Sequence, residues 1–94
     1  MLDNAFVQAQ RSRLLARLTS YQTEMNEESL PPPMRAHKAH MFNHIIPEVI
    51  HRIDQGLYGI CVHCEEMIPQ ARLVLVPAVM RCVDCQRLLE EVSS

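Results

Sequence analysis

Cys61-Val62-His63-Cys64 and, seventeen residues further on, Cys82-Val83-Asp84-Cys85 decide how this chain is read. All four cysteines of the 94 residues fall in these two pairs. Each pair spans one tight turn, so its two sulfurs can face a single centre. Two such turns supply four thiolates, the ligand set of a closed tetrahedral zinc site. The stretch between them suits a short hairpin that returns the second turn to the first. Four protein ligands leave no open coordination position, so the expected metal is one structural Zn2+ held by Cys61, Cys64, Cys82 and Cys85.

Other uses of four cysteines fit less well. Disulfides need an oxidising compartment. The opening residues Met1-Leu2-Asp3-Asn4-Ala5-Phe6-Val7-Gln8 lack the basic head and apolar run of a secretory signal. A redox CxxC would leave the second matched pair unexplained, and no βαβ pattern surrounds either pair. The longest apolar run, residues 73–80, is interrupted by Pro77 and is too short to span a bilayer. These features point to a cytoplasmic protein without a membrane segment. The length argues for one small unit in which the metal acts as a staple.

The formal net charge is −2. Residues 1–60 balance six basic against six acidic side chains, whereas residues 61–94 carry three against five. Four thiolates around one dication add roughly two further negative charges. An acidic zinc module is poorly matched to a phosphate backbone, so no sequence-specific DNA contact is expected. No nucleophile stands beside a base, no glycine-rich phosphate loop is present, and the chain has two glycines. It does not read as an enzyme.

Ahead of the cysteines the pattern is helical. Val7, Leu14, Leu18, Tyr21 and Met25 recur at helical steps, with Arg11 in the gap, and Phe6 and Leu15 widen the stripe. This predicts a helix over 5–28 that ends in the acidic turn Glu24–Leu30. Pro31-Pro32-Pro33 then breaks the helix. A second helix is expected over 34–55 on Phe42, Ile46, Val49 and Ile53, with Ile45 and Ile50 alongside. Pro47 is expected to kink or break it. Gly56 follows where a left-handed cap belongs. The two helices imply an antiparallel hairpin over residues 1–56 with its tip near 24–33. In the cysteine module, 57–94, residues 72–76 and 78–80 read as two short strands around Pro77. Residues 83–92 read as a C-terminal helix with Leu88, Leu89 and Val92 apolar, its positive end facing the thiolates. The fold class is therefore mainly α: a helical hairpin, then a four-cysteine zinc module with a short β-hairpin and a terminal helix.

From Arg52 onward the chain resembles the DksA/TraR family of zinc-containing transcription regulators. The resemblance rests on Arg52-Ile53-Asp54-Gln55-Gly56-Leu57-Tyr58-Gly59-Ile60-Cys61, then Cys64, Ile68-Pro69, Arg72-Leu73, Pro77 and Cys82-Val83-Asp84-Cys85-Gln86. It implies a regulator that binds bacterial RNA polymerase by inserting the hairpin into its secondary channel, with the zinc module at the base. The family's tip pattern is Asp-x-x-Asp-x-Ala, and the nearest match here is Glu24-x-x-Glu27-x-Ser29. Where the family usually has glycine after the second cysteine, Glu65 stands. Ile45 and Val76 occupy positions at which full-length members that bind guanosine tetraphosphate carry basic residues. The chain thus looks closer to short members of the TraR type, which act without that nucleotide.

The rival reading is a zinc-ribbon adaptor whose hairpin docks on another protein or on a second copy of itself. Smaller signals remain. His37, His40 and His44 share a helix face. His40 and His44 have the spacing for a shared metal, but no acidic third ligand is read at helical spacing, so solvated histidines are the plainer account. His63 inside the first turn is expected to point outward. Arg72, Arg81 and Arg87 read either as a polymerase-facing patch or as ordinary surface charges.

Overall fold

The computed structural model describes residues 2–93. Helix α1, Asn4–Met25, runs out from the base and the chain turns through residues 26–31. The second arm returns as α2, Pro32–His40, a π-helical segment, Met41–Ile45, and α3, Ile46–Asp54. A six-residue helix α4, Gln70–Leu75, precedes the second cysteine pair, and a terminal helix α5, Val83–Ser93, begins within it and carries Cys85. The side chain of Val92 lies outside the described residues. At 22 residues, α1 is about 33 Å long. The radius of gyration is 14.3 Å, against about 12 Å for a compact chain of this length, because the hairpin projects.

The second arm starts inside the triproline, not after it. Pro32 takes the first helical position, where a missing N–H costs nothing and the fixed φ suits the helix. The arm also stays helical through Pro47. A regular α-helix would place the proline ring against the carbonyl of Asn43. The π segment widens the preceding turn, so that the Ile46 N–H reaches back five residues to Met41 O. The expected break is thereby absorbed. Gly56 closes the arm with φ +76°, and Arg52 Nη2 donates to Ile60 O at 2.9 Å, holding the connection that follows.

The expected strands are corrected. Residues 70–75 form α4, and the only β pairing among the described residues is the isolated bridge between Ile60 and Met67. Pro69, in extended backbone just before α4, accepts the N–H groups of Arg72 and Leu73. One turn of helix then drives Leu73 into full burial, whereas a strand would have alternated its apolar run between two faces. Burial of one anchor has overridden the β preference of Val74 and Val76.

The core lies at the junction of hairpin and zinc module. Leu14 of α1, Ile46, Val49 and Ile53 of α3, Tyr58, Ile68 and Leu73 form one buried cluster with Cys61 and Cys85. The gap in the α1 stripe is filled by Gln10, not Arg11. Gln10 is 2% exposed and is the one buried polar residue among the described residues. Its Nε2 donates to Leu73 O at 2.7 Å and to the Tyr58 hydroxyl at 3.2 Å, while its Oε1 accepts from Arg13 Nη1 at 2.8 Å. The Tyr58 hydroxyl donates to Pro77 O at 2.9 Å, and Arg13 also donates to Val74 O at 3.1 Å. Arg11 lies outside and pairs with Asp54. Leu15, expected to widen the stripe, is exposed.

Gln10→Ala removes the centre of this network, strands the carbonyl of Leu73 and takes one partner from the Tyr58 hydroxyl. The expected loss is about 1–3 kcal/mol in urea unfolding of the zinc-loaded protein. Zinc content should be unchanged, which separates a loosened junction from a damaged metal site.

Candidate metal centre

The first cysteine turn is built by Gly59 and its neighbours. Gly59 has φ +84°, and a Cβ there would sit 2.7 Å from Leu2 Cδ1 and 3.4 Å from Leu73 Cδ1. Its carbonyl accepts the N–H of Ile68 at 2.7 Å, and Cys61 N–H donates to Glu66 O at 2.9 Å. These two bonds fold residues 59–68 back on themselves around Cys61 and Cys64. Glu65 adopts φ +65°, the left-handed position at which the family pattern has glycine. Its N–H closes the turn on Cys61 O at 3.0 Å. Val62 N–H donates to Met80 O at 2.8 Å and so ties the first turn to the approach of the second. The second turn runs into α5, whose first-turn N–H at Cys85 donates to Cys82 Sγ at 3.5 Å. The positive end of α5 thus faces the sulfurs, as expected.

The four Sγ atoms all lie within 4.8 Å of one another. Cys64 Sγ and Cys82 Sγ are 3.7 Å apart. Tetrahedral zinc with bonds of about 2.3 Å sets its sulfurs about 3.8 Å apart, so the donor set fits that ion in both chemistry and spacing. Cys61 and Cys85 are buried, and Cys64 is exposed. No other group of three or more His, Cys, Asp or Glu side chains among the described residues converges this closely. His63 is exposed, and only its backbone N–H approaches the site, donating to Cys61 Sγ at 3.4 Å.

The sulfurs differ in their readiness to ionise. Burial opposes the Cys61 thiolate, but bonds from the backbone at Cys64, Cys82 and His63 outweigh it and bring its pKa down to about 5. Cys85 is raised, first by its sulfur neighbour Cys82 and then by burial. Cys64 is also raised, although its bond from the Glu66 backbone acts the other way. One thiolate forms readily, and Cys64 and Cys85 then resist losing their protons. A dication at the centre removes that mutual penalty, which is why this set belongs around a metal.

A family model of the prokaryotic DksA/TraR C4-type zinc finger matches residues 56–91. The chain carries that finger over residues 56–91. The DksA/TraR finger holds one structural zinc, and Cys61, Cys64, Cys82 and Cys85 are the side chains placed to hold it. An uncharacterized protein of Aquifex aeolicus is 38% identical over 48 residues, which take in 51% of this chain and 33% of that protein. The chain thus spans about a third of the length of that relative. The fold extends the likeness beyond the finger. The RNA polymerase binding protein and transcriptional regulator Dks from Chlamydia trachomatis superposes with a TM-score of 0.77 at 23% identity, covering 97% of this chain and 94% of that one. Transcription factor DksA2 from Pseudomonas aeruginosa superposes at 0.67 and 20% identity, covering 97% and 88%.

At the far end of the hairpin, Glu24 lies on the last turn of α1 and Glu27 and Ser29 in the connecting turn. Glu24 is engaged: Lys38 Nζ donates to its Oε2 at 2.6 Å and also lies 5.1 Å from the Tyr21 ring centroid. Glu27 and Glu28 are exposed, and Arg35 Nη2 binds the Glu27 carbonyl at 2.6 Å. Between arm and finger runs a groove of about 880 Å³ whose walls include Arg13, Arg17, Arg72 and Arg81. Ile45 and Val76 line it, and the buried Nε of Arg72 has no hydrogen-bond partner among the described residues. Arg87 lies outside this wall.

Two measurements follow from the metal geometry. Zinc affinity should rise with pH by about tenfold per pH unit for each proton displaced, because raised thiols such as Cys64 and Cys85 must lose their protons to bind. Competition with a chromophoric chelator across neutral pH reads this slope, and a flat profile would contradict the four-thiolate set. Glu65→Gly should relieve the left-handed strain and stabilise the zinc-loaded protein by at most about 1 kcal/mol in thermal unfolding.

Proposed function

We propose that this protein is a transcription regulator that binds bacterial RNA polymerase and inserts its helical hairpin into the secondary channel. The zinc is structural and sets the direction of the arm. The observation that supports this most is the joint itself. The Gln10–Tyr58–Leu73 network and the shared core fasten a projecting two-helix arm to a DksA/TraR finger, leaving Glu27 and Glu28 exposed at the free end. Acidic side chains near the C-terminus of a helix oppose its dipole, so their concentration there favours a role outside folding. The Chlamydia protein of the same fold is described as an RNA polymerase binding protein. An acidic finger agrees with a partner other than DNA, and the site of action is the cytoplasm.

The tip is Glu24, Glu27 and Ser29, but its members are not equivalent. Lys38 neutralises Glu24 and fixes the end of α1, which leaves the Glu27 carboxylate as the group presented to the polymerase. The α1 stripe, which a self-associating adaptor would need exposed, is used within the chain: Leu14 is buried and Val7, Leu18 and Tyr21 pack on the core. Ile45 and Val76 give the groove apolar walls where nucleotide-binding members of the family carry basic ones.

The doubly substituted Glu24→Ala/Glu27→Ala protein should bind polymerase as the parent does and lose its effect in a purified transcription assay. Glu27→Ala alone should account for most of that loss. Guanosine tetraphosphate should leave the parent's effect unchanged. Absence of any affinity for polymerase at micromolar protein would sink the proposal.

A further inference from the structure

The groove between arm and finger is short of negative charge. Arg13, Arg17, Arg72 and Arg81 line it against one carboxylate, Glu90. None of the four arginines pairs with a carboxylate among the described residues, whose two ion pairs are Arg11 with Asp54 and Lys38 with Glu24. Arg13 donates to neutral oxygens, Gln10 Oε1 and Val74 O, and Arg17 to the Tyr21 hydroxyl at 3.4 Å. Arg72 Nε is buried and has no acceptor, a state that buried donors rarely keep. Apolar surface lies beside these charges. Leu75, on the same wall, is 80% exposed, the highest value for a large apolar side chain among the described residues. The groove therefore asks for carboxylates and an apolar cover together.

The free end of the arm carries both. Glu27 and Glu28 are exposed and enter no ion pair among the described residues. Arg35 beside them is engaged on the Glu27 carbonyl. Pro31, Pro32 and Pro33 follow at once, and all three are exposed. Pro32 explains where the second arm starts, but the core uses none of the three rings. Tip and groove of one chain cannot meet, because the groove runs along the same arm. Arg17 precedes Glu27 by ten residues, about 15 Å of helical rise.

We propose that two copies of this chain clasp antiparallel, each placing its Glu27–Glu28–triproline tip in the arginine groove of the other. A two-fold axis near the exposed Gln22, midway between Arg17 and Glu27, brings both tips to both grooves at once. The contact is then isologous and closes at two copies. It leaves the α1 stripe in its place inside the chain. A net charge of −2 per chain opposes the approach only weakly, since the local charges are opposite. An acidic segment of another protein would meet the groove with the same chemistry. A second copy is favoured because the complementary segment already stands on this arm, at an offset that makes the contact reciprocal. The clasp does not rest on the polymerase reading. Under that reading it withdraws Glu27, so the dimer is a resting form.

The test is sedimentation equilibrium of the zinc-loaded protein with two charge-reversed variants, Glu27→Lys/Glu28→Lys and Arg17→Glu/Arg81→Glu. The parent should dimerise reversibly, and its association should weaken at least about tenfold between about 50 mM and about 500 mM salt. Each variant alone sets like charges against each other and should be monomeric. Their equimolar mixture restores both contacts with the signs exchanged and should dimerise. Arg17→Glu alone, at an exposed side chain, should weaken the parent dimer at least about tenfold. Circular dichroism and zinc content of each variant show that fold and metal are kept. A parent that stays monomeric up to about 1 mM chain would overturn the clasp and leave the groove to an acidic segment of another protein. A salt-indifferent dimer, a parent-like dimer from Glu27→Lys/Glu28→Lys, or a monomeric mixture of two folded, zinc-loaded variants would overturn it as well.

Discussion

Four sulfurs within 4.8 Å of one another are the constraint on which the rest of the chain depends. Without a cation they compete for charge: Cys61 ionises easily, while Cys64 and Cys85 resist. With a dication they become one rigid node. Two of the four, Cys61 and Cys85, also belong to the apolar core, in the same cluster as Ile68 and Leu73. Metal binding and core formation are therefore one event in this chain, and the binding energy of the ion is folding energy. This matters at 94 residues, where the core alone is small.

The same node directs the arm. Leu73 is the pivot. Its side chain is fully buried in the finger, and its carbonyl receives Gln10 of α1. Tyr58 sits between them, bonded to Gln10 on one side and to Pro77 O on the other. Burial pushes its hydroxyl pKa up, which keeps the proton in place for that donation. A buried network in which each member is satisfied fixes orientation better than apolar contact, which tolerates sliding. The ion pair of Arg11 with Asp54 adds little by comparison, since both partners are substantially solvated.

Much of this was legible in the sequence, and what was not has definite physical causes. The cysteine spacing carries the metal site because ligand geometry is local to each turn. Gly56 was readable because left-handed backbone has a residue signature, and Glu65 only because the family that the chain resembles usually has glycine there. Gln10 lay on the apolar stripe, three residues after Val7 and four before Leu14, so its register was visible. Its partners, 48 and 63 residues away, were not. Helix α4 was misread as strand because Arg72–Val76 has strand composition, and only the fit of Leu73 into the core decides otherwise. The rule that proline breaks a helix holds for a regular α-helix. The five-residue π segment before Pro47 changes the register on which that rule depends.

Stability along the arm is graded by these arrangements. At the base, α3 buries Ile46, Val49 and Ile53, and α1 buries Gln10 and Leu14. Beyond Leu14 no residue of α1 is buried, and α2 buries none. The outer half is held by partly exposed contacts, among them Lys38 with Glu24 and with the Tyr21 ring, and Arg17 with the same ring at 5.8 Å. Such contacts contribute about 1 kcal/mol or less each, whereas fully burying one aliphatic side chain contributes about 1.5–3 kcal/mol. Local opening should therefore cost least at the tip and approach the global unfolding energy at the base. An arm built this way keeps its direction, because the base sets it, while its acidic end can adjust to the surface it meets. The ion pair on Glu24 adds to the backbone bonds that end α1, and Arg35 holds the Glu27 carbonyl, which leaves the Glu27 side chain exposed at the turn.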